Sequence, residues 1–118
     1  MINNIRIEQI YAELFQLQLE KENYEDCCKV FKHEMTEEGK VIDAMYQEFT
    51  YKCTDIYNEM YDQRLFDLIE DNQEFLDKAQ EMRAKLFKTV DKEARNHLVQ
   101  CEEKEAELRR ELNLLVVV

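Results

Sequence analysis

The chain has 118 residues, of which 36% are charged and 45% are hydrophobic, and its formal net charge at neutral pH is −11. This length predicts one domain at most, and a strongly acidic chain is a poor partner for nucleic acid or for an anionic membrane surface. The sequence contains one glycine and no proline, so it predicts long helices rather than many short elements.

The first half of the chain carries apolar residues at heptad spacing, which is typical of a helix in a coiled-coil seam. Two rows follow from this spacing: Ile7, Leu14, Lys21, Cys28, Met35, Ile42, Phe49 and Ile56, and next to them Ile10, Leu17, Tyr24, Phe31, Glu38 and Met45. The first row keeps its phase across Gly39. Because one glycine costs a helix only about 1 kcal/mol relative to alanine, the spacing predicts a continuous helix from about residue 4 to residue 57.

The second half carries a row that lies two positions out of phase with the first. Its members are Leu65, Asn72, Ala79 and Leu86, flanked by Leu68, Phe75 and Met82, and then Leu98, Cys101, Leu108, Leu112 and Leu115. This row predicts a second helix from about residue 64 to residue 113, with the break inside Tyr57–Arg64. That segment offers only Asn58 and Asp62 as turn formers, so a turn at Gly39, or three shorter helices, remains an alternative.

If the chain reverses direction at this break, residues whose numbers sum to about 121 face each other across the two helices. Apolar residues then meet, as Leu14 does with Leu108, and charges of opposite sign meet as well. The charge pairs include Asp43 with Lys78 and Lys40 with Glu81. The prediction is therefore an all-α, coiled-coil-like antiparallel two-helix hairpin that forms a single domain over residues 1–118.

The chain has more apolar side chains than one seam between two helices can use. A second apolar stripe on a helix is a surface for another helix, so partner helices are predicted to complete a bundle. The predicted interface residues are Tyr11, Phe15, Leu19, Tyr46, Cys53, Tyr57, Phe66 and Ile69. A compact three-helix monomer that covers the same stripe itself is the alternative.

No catalytic, metal or cofactor site is predicted, and the chain is expected not to be an enzyme. The sequence has no serine, no CxxC spacing and no Glu-x-x-His motif of the di-iron bundles. Neither histidine is expected to lie beside a cysteine at helical spacing with an orienting acid, as nucleophilic catalysis would need. Cys28 and Cys101 fall in the seam rows and are interpreted as small core residues.

The sequence also predicts a cytoplasmic location. Residues 1–20 mix apolar and polar side chains and lack the apolar core of a signal peptide. No run approaches the roughly 18 apolar residues of a membrane span, so no membrane insertion is expected. In the cytoplasm the four cysteines would remain reduced.

Two segments, Phe66–Leu76 and Glu102–Leu112, give the chain an acidic helical character with repeated Glu-Leu and Arg-Glu runs. In this character and in size the chain resembles the small helical accessory proteins encoded beside LXG toxins, which belong to type VIIb secretion in Gram-positive bacteria. Glu37–Ile42, followed by Met45 and Phe49, is similar to the Trp-x-Gly turn of the WXG-type secreted hairpins. The tryptophan is absent here, and this likeness would place the turn at Gly39.

The resemblance implies a non-enzymatic adaptor, or targeting chaperone, that binds the helical N-terminal domain of a secreted toxin, with room for a second small accessory protein. It also implies an aromatic-x-x-x-acid element for export, for which Phe87 and Asp91 are the candidate pair. Such a protein is cytoplasmic and either stays behind or is exported with its cargo. The alternative function is a self-assembling homo-oligomeric coiled-coil protein of a phage or a secretion apparatus.

Overall fold

The structure is a computed structural model that describes residues 2–117. Helix α1 spans Ile2–Met60 and helix α2 spans Gln63–Val117, and there is no strand within this range. The predicted all-α antiparallel hairpin is therefore confirmed. Neither helix has, between residues 2 and 117, a segment that is both long enough and apolar enough to cross a membrane.

The chain reverses at Tyr61 and Asp62, inside the segment predicted to break, and α1 runs uninterrupted through Gly39. Tyr61 adopts a left-handed conformation, with φ of 54°, and its N–H donates to the carbonyl of Tyr57 at 2.6 Å. This is the helix-ending bond that glycine usually makes. Asp62 then caps α2, because its Oδ1 accepts from the backbone N–H of Arg64 at 2.9 Å.

Packing divides the chain into two compact units. The terminal unit combines Met1–Val30 with Thr89–Val118, and the turn unit is Phe31–Lys88. In each unit a stretch of α1 packs against a stretch of α2, and the residues between the two helices form the seam of that unit.

The seam of the terminal unit is the one predicted from the heptad rows. Ile10 is completely buried, and Leu17 and Cys101 are buried as well. The ring of Tyr24 stacks on that of His97, with centroids 4.0 Å apart, which matches the predicted register. The heptad rows therefore identify the helix surface that is buried in this unit.

Charged side chains at the edges of the terminal seam link its two helices. Arg6 donates from Nε and Nη2 to the two carboxylate oxygens of Glu111, at 2.7 and 2.8 Å. This hydrogen bonding holds the pKa of Glu111 below its ordinary value. Lys21 pairs with Glu105 at 2.8 Å, and the hydrogen bond raises the pKa of Lys21.

The seam of the turn unit differs from the prediction. Beyond Met35 the predicted rows lie outside it, since Ile42, Met45, Phe49 and Ile56 are all exposed. Beyond Met35 the buried and half-buried positions of α1 are instead Gly39, Asp43, Tyr46, Thr50, Cys53, Thr54 and Tyr57. The expectation that α1 continues through Gly39 is correct, but the apolar rows do not keep their place in the seam there.

Polar partners across the seam account for this difference. Arg83 donates from Nη2 to both carboxylate oxygens of Asp43, at 2.6 and 2.8 Å. Asn72 donates to the carbonyl of Tyr46 at 2.9 Å and to the hydroxyl of Thr50 at 2.6 Å. Polar side chains enter a seam when each finds its partner there, and hydrophobic periodicity does not detect such partners.

Two charge pairs predicted between the helices are replaced by other contacts. Asp43 pairs with Arg83 rather than with Lys78, and Lys78 contacts Glu74 one turn earlier on α2. Lys40 contacts Glu37 on its own helix at 3.2 Å. An exposed lysine can reach a carboxylate three or four residues away on its own helix. This explains why Lys40 and Lys78 do not form the predicted pairs with the other helix.

Candidate functional site

The turn unit presents a row of exposed apolar side chains on each of its helices, and we call these two rows together the apolar face. Its members are Ile42, Met45, Phe49 and Ile56 on α1 and Leu68, Phe75, Met82 and Leu86 on α2. Their exposed fractions range from 38% for Leu86 to 71% for Met82. Large apolar side chains are therefore substantially open to solvent over most of the length of this unit.

The two rows lie on the same side of the turn unit. Each member directly precedes a buried or half-buried residue of the seam, as Phe49 precedes Thr50 and Phe75 precedes Leu76. One residue is a rotation of about 100° around the helix axis, so every member is displaced from the seam in the same rotational sense. Because the two helices are antiparallel, the same sense of rotation on both brings the rows to one side.

The other side of the turn unit is mostly polar. The residues that directly follow a seam position there include Lys40, Gln47, Asn58, Glu70, Gln73, Asp77, Gln80 and Lys88, and all of these are exposed. A two-helix unit with one apolar side and one polar side has the amphipathic pattern of a structure that packs on one side only.

The turn unit has more large apolar side chains exposed on the apolar face than it has fully buried ones. Of the side chains described in the turn unit, Cys53 and Leu76 are the buried hydrophobic ones. Eight large apolar side chains lie on the face, whereas the half-buried side chains of the seam are mixed, with Tyr46, Leu65 and Ile69 beside the polar Asp43, Asn72 and Arg83. Contiguous exposed apolar surface of this kind typically marks a site of protein–protein interaction.

Four of the predicted interface residues lie in the seam of the turn unit. Cys53 is buried, and Tyr46, Tyr57 and Ile69 are half-buried between the two helices. The ring of Tyr46 contacts that of Phe75, with centroids 5.0 Å apart, so Tyr46 supports the apolar face from below. Cys53 is covered by its own chain, which leaves its thiol no surface to offer a partner while the helices are packed.

The other predicted interface residues are exposed at their positions. Tyr11, Phe15 and Leu19 follow one another at four-residue spacing on α1 of the terminal unit, where they form a narrow ridge. Phe66 lies at the start of α2 and packs against Tyr57, with ring centroids 5.7 Å apart. These residues fit a partner contact, but they are fewer and less continuous than the members of the apolar face.

The candidate export pair lies on α2. Phe87 is half-buried in the turn unit, and Asp91 is exposed in the terminal unit. The two residues are four positions apart in the sequence. An export function for this pair stays a prediction.

A second cluster, in the terminal unit, combines three types of metal-binding side chain. Donor atoms of Glu20, His97 and Cys101 all lie within 4.8 Å of one another. His97 and Cys101 are four residues apart on α2, so the expectation that no histidine lies beside a cysteine at helical spacing is wrong. That spacing was visible in the sequence, whereas the approach of Glu20 depends on the register between the helices.

Comparisons of this chain with protein-family models, with curated proteins and with solved structures find no match. Inferences about its function therefore rest on its own residues, on the apolar face of the turn unit and on the polar cluster of the terminal unit.

Proposed function

We propose that this chain is a non-enzymatic interaction protein whose apolar face is covered by amphipathic helices of another protein. The observation that carries the proposal is the contrast between the apolar face and the seam of the turn unit. Eight large apolar side chains are exposed, and the seam beneath them contains an ion pair and an asparagine network. Helices of a partner would supply the third layer that this apolar surface lacks.

The spacing of the face favours a helical partner. Ile42, Phe49 and Ile56 repeat every seven residues, as do Leu68, Phe75 and Met82. Apolar rows with this repeat accept the side chains of a helix that lies along them. An added helix would therefore contact both α1 and α2 and complete a three- or four-helix bundle.

The charge of the turn unit favours a different protein over a second copy of this chain. Residues 31–88 contain fourteen acidic and eight basic residues. Exposed charges of both signs lie beside the apolar face, Glu38 and Asp71 as well as Lys52 and Lys78. The excess of six acidic residues nevertheless gives the unit a net charge of −6, which makes two copies repel each other. A partner helix with basic residues beside its apolar stripe would instead meet opposite charges.

The resemblance to LXG-associated accessory proteins gives the proposal a specific form. In this form the partner is the helical N-terminal domain of a type VIIb toxin, and a second small accessory protein can share the bundle. The chain acts as a cytoplasmic adaptor that keeps the apolar helices of its cargo covered until export. Phe87 and Asp91 remain the candidate export element within this proposal.

The proposal predicts that a toxin gene lies adjacent to the gene for this chain, and it is tested with the product of that gene. The helical N-terminal domain of that toxin should form a complex with the full chain in size-exclusion chromatography with light scattering. Phe49→Asp combined with Phe75→Asp should weaken the complex. Burial of the exposed half of each phenylalanine is worth about 1 kcal/mol, and burying the new carboxylates adds a larger penalty. Together these effects predict a loss of affinity of at least roughly a hundredfold.

A matched control adds the same two negative charges to the polar side of the turn unit. Gln47 and Ala84 are exposed and directly follow seam residues, so Gln47→Asp with Ala84→Asp should leave the affinity within about threefold of wild type. Equal weakening by both double variants would refute the assignment of the apolar face. A homo-oligomer that forms without the toxin domain, and that only the phenylalanine variant disrupts, would instead favour the self-assembling function.

A further inference from the structure

The polar cluster of the terminal unit has the composition of a transition-metal site. Glu20 supplies a carboxylate from α1, and His97 and Cys101 supply an imidazole and a thiol from α2, with the donor atoms within 4.8 Å of one another. Thiolate, imidazole and carboxylate are the three protein ligands that zinc uses. Magnesium and calcium prefer oxygen ligands alone, so a sulfur and a nitrogen in this cluster select against them.

Side chains of both helices hold these ligands in place. His97 and Cys101 are four residues apart and therefore lie on the same side of α2. The ring of Tyr24 stacks almost parallel on that of His97, with an interplanar angle of 10°, which fixes the plane of the imidazole. Cys101 is only 4% exposed, so its thiol stays close to the histidine rather than in solvent.

The three donor atoms lie up to 4.8 Å apart, so a bound zinc ion would have to draw the side chains closer together. The Sγ of Cys101 lies 3.8 Å from Nε2 and 3.9 Å from Nδ1 of His97. Tetrahedral zinc with a bond of about 2.3 Å to sulfur and about 2.05 Å to nitrogen separates the two ligand atoms by about 3.5 Å. Because Sγ is almost equidistant from the two ring nitrogens, the side chains of His97 and Cys101 must also rotate so that one nitrogen lone pair and the sulfur are directed at the same ion.

The surroundings of the cluster allow an ion to enter. Glu20 is exposed and lines an open groove together with Lys104 and Glu107. The nearby ammonium of Lys21 is paired with Glu105 at 2.8 Å, so its positive charge is partly balanced. A divalent cation can therefore reach the carboxylate of Glu20 directly from solvent.

We propose that Glu20, His97 and Cys101 bind one Zn²⁺ ion that links α1 to α2 in the terminal unit. The proposal is independent of the proposed function of the apolar face. On binding, the thiol of Cys101 releases its proton to solvent and its sulfur donates an electron pair to the metal. His97 donates the lone pair of a neutral ring nitrogen, the carboxylate of Glu20 supplies oxygen, and water completes the fourth position.

Cobalt(II) is the probe for this site, because a cobalt–thiolate bond gives a charge-transfer absorption that zinc lacks. The metal-free, reduced full chain should bind one equivalent of Co²⁺ with this band, and Zn²⁺ should displace the cobalt and remove the band. Zinc should also raise the midpoint of thermal unfolding in proportion to the logarithm of its concentration. Absence of the band in the wild-type chain would overturn the proposal.

Variants separate this site from the other cysteines. Cys101→Ala should abolish the band, and Glu20→Gln and His97→Gln should weaken Co²⁺ binding by about tenfold or more. Cys53→Ala is the matched control, because Cys53 is also a buried thiol, 6% exposed, and lies in the turn unit. It should keep both the band and the affinity.

The circular dichroism of each metal-free variant checks that its helices are formed. Glu20 is exposed, so Glu20→Gln tests the site even if Cys101→Ala unfolds. If the Cys101→Ala variant keeps the band, or if the Cys27→Ser variant loses it, the metal is bound by another thiol and the proposal is overturned. If the Glu20→Gln variant binds Co²⁺ with unchanged affinity, Glu20 is not a ligand and the three-ligand site is refuted.

Discussion

Gly39 tests the polar seam of the turn unit most directly, because two effects of known size oppose each other there. Replacement of a glycine inside a helix by alanine stabilises the helix by about 1 kcal/mol. A methyl group at Gly39 would however lie 3.0 Å from Nε, 3.1 Å from Cζ and 3.2 Å from Cδ of Arg83. Ordinary contacts between such atoms are about 3.5–4.0 Å, so Arg83 would have to move by roughly half an ångström.

That movement disturbs the ion pair between the helices. Arg83 and Asp43 have side chains only 19% and 24% exposed, and two hydrogen bonds of 2.6 and 2.8 Å join them. A hydrogen bond to a charged group contributes about 1.5–3 kcal/mol, so its partial loss costs about 1 kcal/mol. The two effects nearly cancel, and Gly39→Ala should therefore change the free energy of unfolding by less than about 0.5 kcal/mol.

A double-mutant cycle separates the two effects. In an Arg83→Ala background the obstacle is gone, so Gly39→Ala should recover the full stabilisation of about 1 kcal/mol. The exposed position Ala44 provides the reference, because Ala44→Gly should cost about 1 kcal/mol in the same helix. Urea unfolding followed by circular dichroism measures all of these variants. Full stabilisation by Gly39→Ala in the wild-type background would refute the close packing of Arg83 over Gly39.

Three further predictions concern the turn and the terminal unit. Tyr61→Gly should be about 1 kcal/mol more stable in urea than Tyr61→Ala, since both lack the ring and only alanine is strained at φ of 54°; equal midpoints would contradict this. Asp62→Ala should lower the thermal midpoint because the cap of α2 is lost, whereas Asp62→Asn keeps an acceptor for the Arg64 N–H and should unfold near wild type; an equal fall in both would contradict the cap. The hydrogen bond from Arg6 lowers the pKa of Glu111 from its ordinary 4.5. The pairing of Arg6 with Glu111 therefore stabilises the fold above pH 4.5, and this stabilisation disappears as the pH falls through the pKa that Glu111 has in the folded chain. Thermal unfolding should accordingly show a stability difference between wild type and Glu111→Gln that shrinks in acid, and a difference independent of pH would contradict the pairing.

The sequence was sufficient to predict the fold because the fold depends on local signals. The absence of proline, the scarcity of glycine and the heptad rows predict two long helices, and the change of phase between the rows locates the turn. The turn itself carries weak signals, since a tyrosine adopts the left-handed conformation where glycine is usual. Its position therefore follows from the helices on either side rather than from its own residues.

The seam of the turn unit was predicted less well, because the prediction assumed that the most regular apolar rows of α1 lie in the seam. In the turn unit Ile42, Phe49 and Ile56 are regular but exposed, whereas Asp43 and Thr50 are half-buried. Only the pairing with Arg83 and Asn72 explains this choice, and such partners lie 22 to 40 residues away in sequence. No pattern within one helix contains that information.

A polar seam under an apolar surface has a physical consequence for how the turn unit behaves. Ion pairs and buried asparagines fix the register of two helices but add little net stability, because their desolvation offsets most of the attraction. Further stabilisation, at about 1.5–3 kcal/mol for each fully buried large side chain, is available from the apolar face, whose side chains remain partly in water. The polar contacts of the turn unit therefore align its helices, and the stabilisation available from Phe49, Phe75 and their neighbours would be gained if another helix covered them, as proposed. In this arrangement binding of a partner and stabilisation of the turn unit are one process, since the same apolar side chains supply the free energy for both.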